Sequence, residues 1–380
     1  MTGRHSRLLE GVALAGILIL GLGTSLAQDG PQGLTEPTIF PPFDANAAAC
    51  TPPPGLEKVL AFAQDNSREF MQGVRRGLEA AAANRGMRFE AVVANNDPAL
   101  MIQQVDALRA AHVGAIIAAP VDPPSLRHSL QAQIWDGGYV GTVVPPPAIT
   151  LLNAPQYLTG KELGDAAARY INEKLGGVAN VVLLTHDNLE FLAPRFAAMR
   201  DALQDMPGVV IVADISPATI DRQGGFATMN TILLANSTID VVLGADTVVL
   251  GALDALRQAG KDRPDQFLGG IDGEPEAINE IQAGGGPYKL TIGLNSPVFG
   301  YALGQHAADW LSGKSVPQAM DILPTAISRE NLAQYEADLA NPAAVYDDPA
   351  RREAYLKMYG NICFDTRDQY VNFPWSSEAR

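Results

Sequence analysis

The sequence predicts an α/β protein built from two similar doubly wound parallel-sheet lobes. Three observations carry that expectation. Short apolar, β-branched runs alternate with amphipathic segments of helical period, the pattern of a parallel sheet covered on both faces. The alternation runs twice, with a break at Pro145-Pro146-Pro147. At 380 residues, the chain has room for two ordinary domains with separate cores. A proline-rich N-terminal leader and a C-terminal extension flank the two runs.

Taken in order, the chain opens on Arg4, His5 and Arg7, an apolar run over 11–22, and the small residues Ser25 and Ala27. This is the pattern of a secretory signal peptide over residues 1–27, cleaved after Ala27, and the run is shorter than the roughly 20 apolar residues that a spanning helix needs. Residues 28–55 hold Pro41-Pro42 and Pro52-Pro53-Pro54 without periodicity, and read as an extended leader packed on, or hanging from, the first lobe. Strands are expected at 58–63, 88–94, 114–119 and 139–144, with helices at 69–84, 98–111 and 124–135 between them. After the triple proline an extended segment leads to a helix at 158–175. The second run then has strands at 180–184, 209–213, 239–244, 267–271 and 288–292, and helices at 194–204, 224–234, 247–258, 275–282 and 297–311. In the tail, 331–339 and 349–359 read as short helices, followed by Tyr370, Phe373 and Trp375.

Composition narrows the function. With 47% apolar and 18% charged residues the chain is of the globular class, and its net charge of -15 repels phosphate backbones, so nucleic acid is excluded as a partner. The only cysteines are Cys50 and Cys363. Ala48-Ala49-Cys50 looks like a lipoprotein box but lacks an apolar segment directly before it; in an exported protein the pair reads as a disulfide, with two free thiols as the alternative. Enzyme signatures are missing. The five histidines form no H-E-x-x-H motif and there is no C-x-x-C, so neither a metal nor a cofactor is expected. Ser312-Gly313-Lys314-Ser315 resembles a P-loop, but Ala308 stands where the motif's first glycine belongs. His186-Asp187 is the one pair suggestive of acid–base work, and a capping role suits it as well.

The stretch 239–273 places aspartates at two successive strand ends, Asp246 and Asp272, on the sheet edge where open α/β folds bind ligands. Around it, GALDALRQAGK, GGIDG, LTIGLNSPVFGYALGQHAADWLSGKSVP and DILPTAISRENL follow one another in an order and spacing that resemble the ribose- and galactose-type periplasmic binding proteins, over about 58–332. That family shares its ligand-binding fold with lac-repressor-type regulators. The resemblance implies a hinge of three crossings, with lobe 1 at 56–157 plus 295–323 and lobe 2 at 158–294 plus 324–330, closing on a ligand held between them. It also implies a monomeric, non-enzymatic periplasmic component of an ABC-type importer that passes a sugar-like or less polar small molecule to a membrane permease. A sensing module feeding a sensor kinase or chemoreceptor is the alternative; a secreted enzyme comes third.

Carried over residue by residue, the resemblance is mixed. Gln64 and Arg68 match polar contact positions, Phe70 and Met71 the paired aromatics, and Asp272 the carboxylate that holds ligand hydroxyls. Val144 and Pro145 replace an Asp-Arg pair, Ala193 an arginine, Ala245 an asparagine, Leu294 a glutamine with Asn295 next to it, and Ile220 an aromatic. So many lost hydroxyl partners argue against an ordinary pentose or hexose in the usual pose, and leave Asp65, Asn66, His186, Asp187 and Asn188 as substitutes. Asp97, Asp122 and Asp246 read as helix caps, and Asp272 as a ligand contact with capping as its alternative. Residues 331–380 form the extension, expected to pack on lobe 1, meet the leader through Cys50–Cys363, and leave the hinge free.

Overall fold

The structure, a computed structural model, describes residues 38–143 and 145–378. The expected signal peptide and Val144 lie outside the described residues. Among those described, no helix is long and apolar enough to cross a membrane.

The first run of alternation folds as β1 (Glu57–Gln64), α1 (Glu69–Asn84), β2 (Arg88–Val93), α2 (Pro98–Ala110), β3 (Val113–Ala118), α3 (Pro123–Trp135), β4 (Tyr139–Val143) and β5 (Thr150–Asn153). Burial sets the strand order: β1 and β3, apolar and buried along most of their length, lie inside the sheet, while half-exposed β2 takes the edge. Asp97 and Asp122 accept hydrogen bonds from Ala99 N (2.9 Å) and Ser125 N (3.1 Å), capping α2 and α3 ahead of a proline in each first turn.

The second run gives α4 (Gln156–Lys174), β6 (Ala179–Leu184), α5 (Ala193–Gln204), β7 (Val209–Ile215), α6 (Arg222–Ala235), β8 (Val241–Gly244), α7 (Asp246–Gln258), β9 (Phe267–Ile271), α8 (Pro275–Ala283) and β10 (Tyr288–Gly293). Its sheet is six-stranded, and alternate residues of β6 feed opposite cores: Val182 and Leu184 into one, Val181 and Leu183 into the other. The chain returns through α9 (Ser296–Leu311) and β11 (Ala319–Ile322) to the first sheet and through β12 (Thr325–Ile327) to the second. It therefore passes between the sheets after β5, after β10 and after β11.

The tail departs from expectation. After α10 (Leu332–Ala340), a helix α11 (Pro342–Asp347) precedes α12 (Pro349–Tyr355), and residues expected to continue that helix form β13 (Leu356–Tyr359). β13 pairs antiparallel with β11 and makes the first sheet seven-stranded, in the order β13-β11-β5-β4-β3-β1-β2. Ladder pairing with β11 thus overrides local helix preference. β5, expected only as extended chain, lies inside the same sheet, and β11 and β12 were too short to show a period. The leader covers the free edge of β13: Phe43 N donates to Met358 O (3.0 Å) and Gly360 N to Pro41 O (2.7 Å). Cys50 and Cys363 are disulfide-bonded, and Phe40 packs with Phe373 and Trp375 in a small core of its own. The hinge is not left free: Glu378 accepts hydrogen bonds from Tyr157 N (3.0 Å) and Leu158 N (2.7 Å) at the start of α4.

Candidate functional site

The carboxyl ends of the two sheets' strands carry the polar groups. On the second sheet, β9 ends at Ile271 and the next residue, Asp272, takes a φ of 117°, which turns the chain sharply. That conformation is costly for a non-glycine residue and is held by neighbours. Asp272 N donates to Ile292 O (2.8 Å), Gly273 N to Thr291 Oγ1 (3.1 Å) and Glu274 N to Asp246 Oδ2 (2.8 Å).

Asp246 is therefore no helix cap. Ala245 is the N-cap of α7, and the fully buried Asp246 carboxyl points sideways to accept from Tyr288 and Thr291 hydroxyls, each at 2.7 Å. A Cβ at position 270 would fall 1.8 Å from Asp246 Oδ1, so Gly270 makes the space for it. Burial pushes the carboxyl up to about 8, against the hydrogen bonds of Tyr288 and Thr291 and with help from the Asp272 charge. A carboxyl raised from 3.8 to about 8 on folding contributes stability that is complete below the unfolded value and is lost as pH rises through the folded one. Asp246→Asn, neutral throughout, is expected to lose less stability than wild type between about pH 4 and 8 in urea unfolding. An equal slope in the two proteins would remove Asp246 from that pH dependence.

Facing Asp272 is Arg195, on the first turn of α5. Its guanidinium is buried, with Nη1 3.6 Å from Asp272 Oδ1 and Nε donating to Gln156 Oε1 (3.0 Å). α4 approaches closely enough to fix it because residue 160 is glycine: a Cβ there would meet Arg195 O at 1.8 Å. Burial lowers the Arg195 pKa and Asp272 opposes the shift. The Asp272 side chain keeps 46% of its surface accessible, yet desolvation within the cleft raises its pKa, against the pull of Arg195 and then of Arg68 from the opposite lobe.

On the first sheet, the loop after β1 folds on itself. Asp65 accepts from Asn66 N (2.7 Å) and Arg68 Nη2 (2.7 Å), and Asn66 Nδ2 donates to Asn96 Oδ1 (3.0 Å). Gln64 is buried and donates to Asn66 O, while its Oε1 has no partner among the described residues. Arg68 leaves 58% of its side chain accessible. The facing edges thus offer two guanidiniums and two carboxylates, a set suited to a ligand bearing several hydroxyls or a carboxylate.

Other expected residues fall elsewhere. Met71 is core at 3% exposure and Phe70 is half-buried against that core. Asn295 is fully buried and caps α9 through Val298 N (3.2 Å); Leu294 and Ala245 are half-buried; Ala193 opens α5; Ile220 stands exposed before α6. His186 packs edge-on to Phe196, with its pKa lowered by burial and its Nε2 unpartnered among the described residues. Asp187 turns instead to Arg200, which also binds Asp214, so no acid–base pair forms. Of two cavities, about 840 and 880 Å³, one lies under the leader and the other beside the hinge, where Gln156 and Pro194 line it but none of the four converging charges does. The converging charges, and not cavity size, mark the cleft as the site.

The family model described as "periplasmic binding protein domain" matches residues 59–315. The chain belongs to that family. Over 259 residues it is 26% identical to the ribose import binding protein RbsB of Bacillus subtilis, covering 66% of this chain and 80% of the relative. It is 28% identical over 224 residues to the xylitol-binding protein of Mycolicibacterium smegmatis, covering 57% and 62%. Among solved structures, a solute-binding protein from Bacillus halodurans with bound myo-inositol superposes with a TM-score of 0.61 at 23% identity, covering 74% of this chain and 98% of that one. A periplasmic ribose ABC transporter protein from Conexibacter woesei reaches 0.64 at 19%, covering 75% and 96%. At such identities these two establish the shared fold.

Within this periplasmic binding protein, Arg195 is the residue that sequence matching set aside. It stands two positions beyond Ala193, where the family's arginine was expected, and the first turn of α5 brings its guanidinium to Asp272. Gln156, which orients it, gave no signal, nor did Tyr335 on α10, whose hydroxyl lies beside Gly273 and Gly293.

Proposed function

We propose that this protein is the substrate-binding component of an ABC-type importer, exported to the periplasm, which closes on one small polyol or sugar-like solute and presents it to a membrane permease. The observation that carries the reading is Asp272, accessible at the sheet edge and faced by Arg195 in its own lobe and Arg68 in the other. Such a carboxylate accepts ligand hydroxyls while the guanidiniums donate to them. Relatives named for ribose and xylitol, and a structural neighbour holding myo-inositol, favour that ligand class. We take the working unit to be a monomer, since one chain holds both faces of the cleft.

A thermal-shift panel of sugars, polyols, amines and organic acids tests the reading, because a ligand that binds only the native state raises its stability by RT ln(1 + [L]/Kd). One compound should bind one-to-one and reduce the radius of gyration in solution scattering. Ribose and galactose should bind more weakly than about 1 mM, given the apolar residues at 144, 145, 245 and 294. An unchanged radius at saturation would rule out closure, and micromolar ribose affinity would show that the remaining polar groups suffice for a pentose.

A further inference from the structure

We propose that the C-terminal segment is a strap across the hinge that limits how far the lobes rotate. Its near end is fixed to the first lobe. Val371 exchanges backbone hydrogen bonds with Ala148 (2.9 and 3.0 Å), and Trp375 packs on Tyr359 and donates from Nε1 to Thr38 O (3.0 Å). Its far end is on the second: Glu378 takes Tyr157 N and Leu158 N, one on each carboxylate oxygen.

The sequence of α4 explains why that contact is made. The N-cap residue is Pro155, whose side chain accepts no hydrogen bond, so the first turn has orphan N–H groups and the positive end of a 19-residue helix without a local acceptor. Glu378, 220 residues away in sequence from Leu158, supplies the carboxylate. Ser377 adds a second tie, at the strands that lead into two of the three crossings. Asn153, the last residue of β5, donates from Nδ2 to Asp321 Oδ1 of β11 (2.8 Å) and reaches Ser377 Oγ (3.4 Å). Tyr359 of β13 donates to the other Asp321 oxygen (2.7 Å), so the buried Asp321 gathers both hinge strands, the edge strand and the tail. Rotation of the second lobe moves the start of α4 relative to Trp375, and only two residues, Ser376 and Ser377, link Trp375 to Glu378. The cap must either break or hold the angle.

The test uses the full chain without ligand, so that its outcome is independent of the proposed transport role. Fluorophores carried by unnatural amino acids at Glu79 on α1 and Leu234 on α6, both exposed, report the distribution of lobe separations by single-molecule energy transfer. Glu378→Ala and the Ser377→Ala/Glu378→Ala pair should broaden that distribution and shift it to wider separations. Amide exchange at Tyr157 and Leu158 should also accelerate by roughly tenfold. Glu378→Gln, which keeps the length and one acceptor, should fall between, and remains informative if the alanine variants lose their fold. Faster exchange with an unchanged distribution would make Glu378 a helix cap alone and overturn the strap; so would no change in either.

Discussion

Asp272→Ala is expected to weaken binding of the ligand found by thermal shift by about tenfold or more, because a hydrogen bond to a charged group contributes about 1.5–3 kcal/mol. The carboxylate is set on a turn with φ at 117°, held from below by the Asp246, Thr291 and Ile292 hydrogen bonds, and its one close counter-charge, Arg195, approaches only to 3.6 Å. Its acceptor capacity is therefore largely unspent. Removing it also leaves the buried Arg195 guanidinium without its anion, so a loss of stability should accompany the loss of affinity. Asp272→Asn separates the two effects: it keeps an acceptor in place and removes the charge. Calorimetry on the three proteins decides. Equal affinity for wild type and Asp272→Ala would mean that the ligand does not touch this carboxylate.

The lobes were legible in the sequence because parallel strands buried on both faces are continuous apolar runs, and β1, β3, β6, β8 and β9 all have that character. β5, β11, β12 and β13 have only three or four residues each, too few to show a period, and β11 and β13 pair with strands distant in sequence or outside the alternating runs. Asp97 and Asp122 were readable as caps because a cap acts within three residues. Asp246 was misread for the complementary reason: it sits where a cap would, but its partners are 28 to 45 residues downstream and no local pattern announces them. The same limit applies to Arg195, which stands two positions from the aligned residue. Position-by-position matching stopped at Ala193, whereas what counts is which side chain the close α4–α5 contact at Gly160 aims at Asp272.

The second large effect is expected from replacing Cys50 and Cys363 together by alanine. The bond closes a loop across 313 residues, and in the chain-entropy model a loop of that size could stabilise the fold by up to about 5 kcal/mol, with residual structure in the unfolded chain reducing the figure. The bond also fastens the leader where Cys50 N meets Gly313 O (2.7 Å) and Thr51 N meets Asp365 Oδ2 (2.8 Å), and that leader covers the edge of β13 and contributes Phe40 to the aromatic cluster of Phe373 and Trp375. Without the bond, the leader is held by few hydrogen bonds and one small apolar cluster, and should open before either lobe does. The double variant is expected to unfold at a lower urea concentration, to be cut by protease between residues 38 and 50 under native conditions, and to expose an unpaired edge strand that favours association. A urea midpoint equal to that of wild type, with the leader still protected, would show that packing of Phe40 against Trp375 holds the two ends together without the covalent link.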